Sequence, residues 1–155
     1  MATIIESVGA ATGGRLRRRG ARRLADAAAR RALDRAGLVA GDIDLLLNAG
    51  LYHDRNLGEP ALAALIQEDI GANPEDPHDG GHGTFSFDVA NGACGPLTGI
   101  QVADGFLRSG TIRHALVVAS DADPGHGMAP GFPFEPAAAA VPEVVIPRDG
   151  ETVEI

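Results

Sequence analysis

Cys94 is the only cysteine in the chain, and its neighbours put it where a nucleophile can work. Phe85 to Val89 reads as a buried strand, Ala90 to Ala93 as a turn of small residues, and Gly95-Pro96 as the opening of a helix. Proline suits the first helical turn, because the N–H it lacks has no intrahelical acceptor there. A thiol at such a junction meets free backbone N–H groups and the positive end of the helix dipole, both of which favour the thiolate. A lone cysteine also serves as a small buried hydrophobe, and the local pattern leaves both roles open. Acyl transfer through Cys94 further needs a base or proton donor and an oxyanion hole. Backbone N–H groups around Cys94 can supply part of the hole. The base carries no signature: His53, His78, His82, His114 and His126 all lie outside any motif that sets them beside Cys94.

Two other clusters could do chemistry. Arg15, Arg17, Arg18, Arg19, Arg22 and Arg23 crowd one short stretch of an otherwise acidic protein. Such a run is commonly a solvated surface, or it cradles an anionic carrier, since the planar guanidinium pairs well with phosphate. Arg15, Arg17, Arg18 and Arg19 are therefore the candidate contacts to coenzyme A or a carrier protein. His78 and His82 with Asp76 and Asp79 fall in a glycine-rich loop without helical spacing, so a solvated loop is expected rather than a metal centre. No G-x-S-x-G elbow is present.

These residues must be held by an alternation of strands and helices. Thr3 to Val8 is a β-branched opening strand. Leu24 to Ala36 is an alanine-rich helix closed by Gly37. Leu45 to Asn48 is a buried strand, and Pro60 starts a second helix, Ala61 to Ile70, closed by Gly71. The helix after Cys94 runs to about Arg108, with Leu97, Ile100, Val102, Ala103, Phe106 and Leu107 spread over most of its circumference. A helix apolar nearly all round belongs in the middle of something larger. His114 to Ser120 is another apolar strand. Ala137 to Ile146 is the last, with Pro142 assigning it to a sheet edge or a bulge. Alternating apolar strands and helices give an α/β domain over residues 1–155, with a mostly parallel five-stranded sheet and helices on both faces.

Composition excludes several classes. Thirteen arginines, no lysine and twenty-one acidic residues give a net charge of −8, which disfavours nucleic-acid binding. One cysteine permits no internal disulfide and suits a reducing cytoplasm. No apolar run reaches membrane-spanning length, and no resident cofactor is expected.

Four segments in order resemble the β-ketoacyl-[acyl-carrier-protein] synthase III family. Ala32 to Leu38 followed by Asp42 to Leu47 is similar to its first crossover, and Phe87 to Gly95 to its active-site cysteine segment. Ala103 to Gly110 with His114 to Ser120 resembles the helix and strand that follow, and Phe132 to Val141 the start of the family's fifth strand. The resemblance runs from about Ile4 to Val141, with Glu135-Pro136 standing where an aspartate-glycine pair is usual. It implies the N-terminal half of a thiolase-like fold, in which two similar halves pack as α-β-α-β-α layers. It implies an acyl thioester on Cys94, taken from an acyl-CoA or acyl carrier protein. The catalytic histidine and asparagine of the family belong to the C-terminal half, so a partner chain carrying that half, or a self-dimer, is expected. The competing expectation is a non-catalytic thiolase-fold interaction module.

Overall fold

Two short strands, β1 (Ala2–Ile5) and β2 (Gly9–Thr12), stand where the sequence suggests one opening strand. Both lie antiparallel on β6 (Ala137–Ile146), β1 on its second half and β2 on its first. Ser7 marks the break, where its hydroxyl turns to the Ala32 carbonyl at 2.6 Å. The computed structural model describes residues 2–13, 20–72, 83–125, 127–128, 130–132 and 134–146.

The remaining elements are α1 (Ala21–Ala36), β3 (Leu45–Asn48), α2 (Leu62–Ile70), β4 (Phe85–Asp88), α3 (Gly95–Arg108) and β5 (His114–Asp121). The sheet order is β1/β2, β6, β5, β3, β4. β3 runs parallel to both β4 and β5, and β6 runs antiparallel to β5, β1 and β2. With β1 and β2 sharing one position, the described sheet has five positions. Four of them point the same way and β6 is the exception.

Pro142 does not put β6 at an edge. The strand lies between β5 and β1/β2, and its register with β5 is continuous from His114↔Val144 to Asp121↔Ala137, so there is no bulge either. Proline is tolerated there because it falls opposite the gap between β1 and β2, where its carbonyl still accepts from the Glu6 N–H at 3.0 Å. β4, expected to be buried, is an edge strand with Phe85 61% exposed. Only β3 flanks it.

Strand alternation sorts the core into two faces. Leu46, Leu116, Val118, Ala138 and Ala140 pack under the alanine stripe of α1 (Ala25, Ala28, Ala29, Ala32) and under Leu62 and Ile66 of α2. Leu45, Leu47, Ala115 and Val117 face the other way, toward Ala103 and Leu107 of α3. Gly37 and Gly71 close α1 and α2 in the left-handed conformation, as expected.

Neither α1 nor α2 carries its own N-cap side chain; the residues there are Gly20 and Ala61. Aspartates from distant segments cap them instead. Asp54 accepts from the N–H groups of Ala21 (3.1 Å) and Arg22 (3.2 Å). Asp88, at the end of β4, accepts from those of Leu62 (2.9 Å) and Ala63 (2.8 Å). Arg22 clasps Asp69 through Nε at 2.5 Å and Nη2 at 2.6 Å, tying α1 to α2. It is thus committed to an internal pair rather than offered to a carrier. Arg15, Arg17, Arg18 and Arg19 lie outside the described residues.

Candidate active site

β3, β4 and β5 run parallel, so their C-terminal ends meet on one side of the sheet, the side on which α/β folds commonly bind ligands. Cys94 is delivered there by the turn after β4. It is exposed and forms the N-cap of α3, so the buried-hydrophobe role does not apply within this chain. Its own N–H donates to the Asn91 carbonyl at 3.0 Å. The Asn91 amide donates to the Thr98 hydroxyl at 2.9 Å, and that hydroxyl donates to the Cys94 carbonyl at 3.2 Å. This short chain of bonds fixes the backbone on both sides of the thiol. The helix start offers fewer free donors than the sequence suggests. The Gly95 N–H is taken by the Gly92 carbonyl, and Pro96 has none.

Two glycines let α3 lie close enough to the sheet to hold Cys94 at this end. A Cβ on Gly95 would come within 2.6 Å of the Ala49 carbonyl oxygen, and one on Gly99 within 2.8 Å of a Val117 methyl. The first contact is with backbone just past β3, which cannot swing aside.

A cleft of about 370 Å³ opens beside the turn, lined by Leu51, Tyr52, Gly92, Ala93, Asp121, Phe134, Glu135 and Ala137. Its walls are mainly apolar. Tyr52 meets Phe132 edge-on at 5.1 Å, and Phe134 packs at 5.5 Å from Phe132. Asp121 Oδ1 accepts from the N–H groups of Leu51 (2.8 Å) and Tyr52 (2.7 Å), which sets the wall that faces Ala93. Glu135 borders this cleft, and the carbonyl of the next residue, Pro136, accepts from the Gly13 N–H at 2.8 Å, extending the β2–β6 pairing by one bond.

The structure brings neither described ring of His53 or His114 to Cys94. His53 sits between the carbonyls of Leu57 (3.1 Å) and Gly50 (3.0 Å), with the Asn48 amide 3.3 Å from Nε2. His114 lies at the opposite end of the sheet, against the Asp42 carbonyl at 3.1 Å. His78, His82 and His126, with Asp76 and Asp79, fall outside the described residues. Among the described residues no group of three or more His, Cys, Asp or Glu could hold a metal ion. No helix among them is long and apolar enough to cross a membrane.

The comparisons with known proteins agree with one another. Over 98 residues the chain is 37% identical to the β-ketoacyl-[acyl-carrier-protein] synthase III of Alkalilimnicola ehrlichii, covering 63% of this chain and 27% of that protein. Over 94 residues it is 42% identical to the enzyme of the same name from Sphingopyxis alaskensis, covering 61% of this chain and 26% of that protein. Over these stretches the chain is similar in sequence to β-ketoacyl-[acyl-carrier-protein] synthase III. Its fold is thiolase-like: the Aquifex aeolicus 3-oxoacyl-[acyl-carrier-protein] synthase III superposes with a TM-score of 0.73 at 21% identity, over 94% of this chain and 54% of that one. A cysteine-to-serine variant of Xanthomonas campestris OleA, solved with lauric acid and lauroyl-CoA, gives 0.73 at 20% identity, over 93% and 56%. No family model matches. The chain thus spans about a quarter of the curated relatives it matches and about half of the solved structures, which fits an N-terminal half.

Sequence reasoning missed the aspartates that build this end of the molecule. Asp88 accepts from the fully buried Asn48 amide at 3.0 Å as well as capping α2, so one carboxylate joins β3, β4 and α2 just ahead of the Cys94 turn. The signal was present: helices starting at Gly20 and Ala61 lack a local capping side chain, so a cap from elsewhere was required.

Two carboxyls among the described residues are held well above their ordinary range. Burial, then the charge of Asp69, pushes Asp26 up to about 7. Burial, then the charge of Asp104, pushes Glu143 up to about 7. Asp69 moves the other way, lowered chiefly by its bonds to Arg22. A carboxyl whose folded pKa is raised contributes stability that is fully present below its unfolded pKa and is lost as pH rises through the folded one. Stability should therefore fall between about pH 4.5 and 7.5. In chemical denaturation at pH 8, Glu143→Gln should be more stable than wild type by up to about 3 kcal/mol, with the advantage gone at pH 4. Parallel pH profiles for wild type and variant would contradict this origin.

Proposed function

We propose that this chain is the acyl-accepting half of a β-ketoacyl synthase III-type acyltransferase, with Cys94 as its nucleophile. The Cys94 thiolate attacks the thioester carbonyl of an acyl-CoA or acyl carrier protein. A carbon–sulfur bond forms to Sγ as the carrier's own carbon–sulfur bond breaks, and the carrier leaves as a thiolate that takes up the proton Cys94 had released. The observation that carries this reading is an exposed cysteine, fixed at a helix start, next to an apolar cleft of about 370 Å³ that suits an acyl chain. Relatives named β-ketoacyl-[acyl-carrier-protein] synthase III support the reaction class, and the OleA structure with lauroyl-CoA supports the substrate class. Arg15, Arg17, Arg18 and Arg19 remain the proposed contacts to the carrier's phosphates. Intact-mass measurement after incubation with lauroyl-CoA tests the reading: one acyl mass should be gained on this chain.

Condensation would need a histidine and an asparagine beside Cys94, which we assign to a second half packed against this one. What supports a partner is the set of apolar side chains that α3 leaves uncovered. Leu97 is 64% and Phe106 36% exposed on different sides of the helix, and Ile100 is half-buried toward β1, whereas Ala103 and Leu107 alone face the sheet as fully buried apolar side chains of that helix. Large apolar side chains left uncovered around one helix are what a partner surface would bury. The protein should not be a monomer at micromolar concentration. Ile100→Asp or Phe106→Asp should release monomer or cause aggregation, because a charge would be buried at the contact. Light scattering reads the outcome. A well-behaved wild-type monomer, with unchanged melting in both variants, would contradict it.

A further inference from the structure

Strand β1 is held lightly. It pairs on one side only, with the second half of β6, and its Ile4 and Ile5 stay 36% and 48% exposed. Beyond that ladder, the Thr3 hydroxyl donates to Asp104 Oδ1 of α3 at 2.5 Å. Glu143 of β6 lies opposite Ile5 on β1 and opposite Ala115 on β5, which puts it on the α3 face of the sheet. It is 2% exposed, and its Oε1 has no hydrogen-bond partner among the described residues. The charge acting on it is that of Asp104; Arg108, also on α3, lies 3.8 Å from the Asp104 carboxylate and is largely exposed. β1 and β5 set only Thr3, Ile4, Ile5 and Ala115 around it. A carboxyl buried without a donor is tolerated as a neutral acid and is costly as an anion. Hydrating the anion requires one of its covering elements to move. β5 is a central strand, and α3 is anchored on the sheet through Ala103 and Leu107. The short, exposed edge strand is the element that opens at least cost.

We propose that β1 is a proton-held strap: it closes over Glu143 while that carboxyl carries its proton, and it detaches from β6 when the carboxyl ionises. Detachment lets water reach Oε1 and bares the outer edge of β6 together with the Ile100–Asp104 flank of α3. The strap depends neither on the chemistry of Cys94 nor on a partner. Its direction follows from the closed form, in which burial first and Asp104 second raise Glu143 from its ordinary value of 4.5 to about 7. With β1 detached the carboxyl is hydrated and titrates in the ordinary range. The closed strap is therefore fully stable below the ordinary value and loses stability as pH rises to the raised one. Opening should increase about thirtyfold from pH 5 to pH 7 and only about twofold from pH 7 to pH 9.

Amide hydrogen exchange of the full chain, followed by NMR, tests this when expressed as protection relative to the unstructured rate, which removes base catalysis. The Glu6 N–H, bonded to the Pro142 carbonyl at 3.0 Å, reports on β1, and the Ala49 N–H, bonded to the Val118 carbonyl at 2.7 Å, reports on the middle of the sheet. Glu6 protection should fall about thirtyfold from pH 5 to pH 7. It should stay well below that of Ala49 and respond little to dilute urea, because a short strand exposes little surface. Glu143→Gln should hold Glu6 protection constant over the same range. Thr3→Val removes the bond to Asp104, and should lower Glu6 protection at every pH while leaving a fall of similar size. Equal protection of Glu6 and Ala49 would mean that β1 leaves only with the whole fold, and would overturn the strap. A flat wild-type profile, or the wild-type slope persisting in Glu143→Gln, would overturn it too. The wild-type profile alone can refute the proposal, so the test does not depend on either variant folding.

Discussion

Cys94→Ala should gain no acyl mass from lauroyl-CoA under conditions in which the wild-type chain is fully labelled, a loss of at least about a thousandfold in the rate of acyl uptake. The structure makes this variant a clean one. Cys94 is exposed, and its side chain makes no capping bond to α3. The turn is held by Asn91, Thr98 and the Cys94 backbone, none of which the substitution touches. Stability should therefore stay within about 0.5 kcal/mol of wild type. A large chemical effect with a negligible stability effect is the mark of a nucleophile. Equal labelling of wild type and Cys94→Ala would sink the assignment and give precedence to the interaction module. The partner matters as well. If it supplies the base, adding it should speed acyl uptake by the wild type and leave the variant silent.

Asp88→Ala should cost about 2–4 kcal/mol and lower the melting temperature by about 5–15 °C. Its carboxylate accepts three hydrogen bonds, two from the first turn of α2 and one from the buried Asn48 amide. Alanine leaves the helix start uncapped and a buried amide without its acceptor. Asp88→Asn keeps one carbonyl oxygen and should lose roughly half as much. The chemistry should suffer with the fold. Asp88 is six residues ahead of Cys94, and the Val89 N–H that follows it pairs with the Asn48 carbonyl at 2.8 Å. Loosening this corner should slow acyl uptake even at temperatures where the variant remains folded. Urea denaturation at pH 7 and acyl-labelling rates at 15 °C measure the two effects. A variant within 1 kcal/mol of wild type would mean that water replaces the carboxylate at little cost.

How much of this was legible in the sequence depends on the range of the interaction involved. The helices were readable because their causes are local: alanine-rich periodicity for α1, proline at the start of α3, and Gly37 and Gly71 adopting the left-handed cap. Cys94 at the strand-to-helix junction was readable for the same reason, and so was the apolar circumference of α3 that leaves Leu97 and Phe106 uncovered. Pro142 was read wrongly because its cost depends on what lies across from it. Only the sheet shows that it falls opposite the gap between β1 and β2. Phe85 was read as buried because its pattern matches a central strand, but an edge position follows from strand order, which no local run encodes. The capping by Asp54 and Asp88, the clasp of Arg22 on Asp69, and the unpartnered Glu143 Oε1 all join residues 25 or more positions apart or depend on burial among them. Local sequence sets which turns and faces can form. Which charge meets which backbone group, and which is left without a partner, is settled only when the sheet brings distant segments to the same corner.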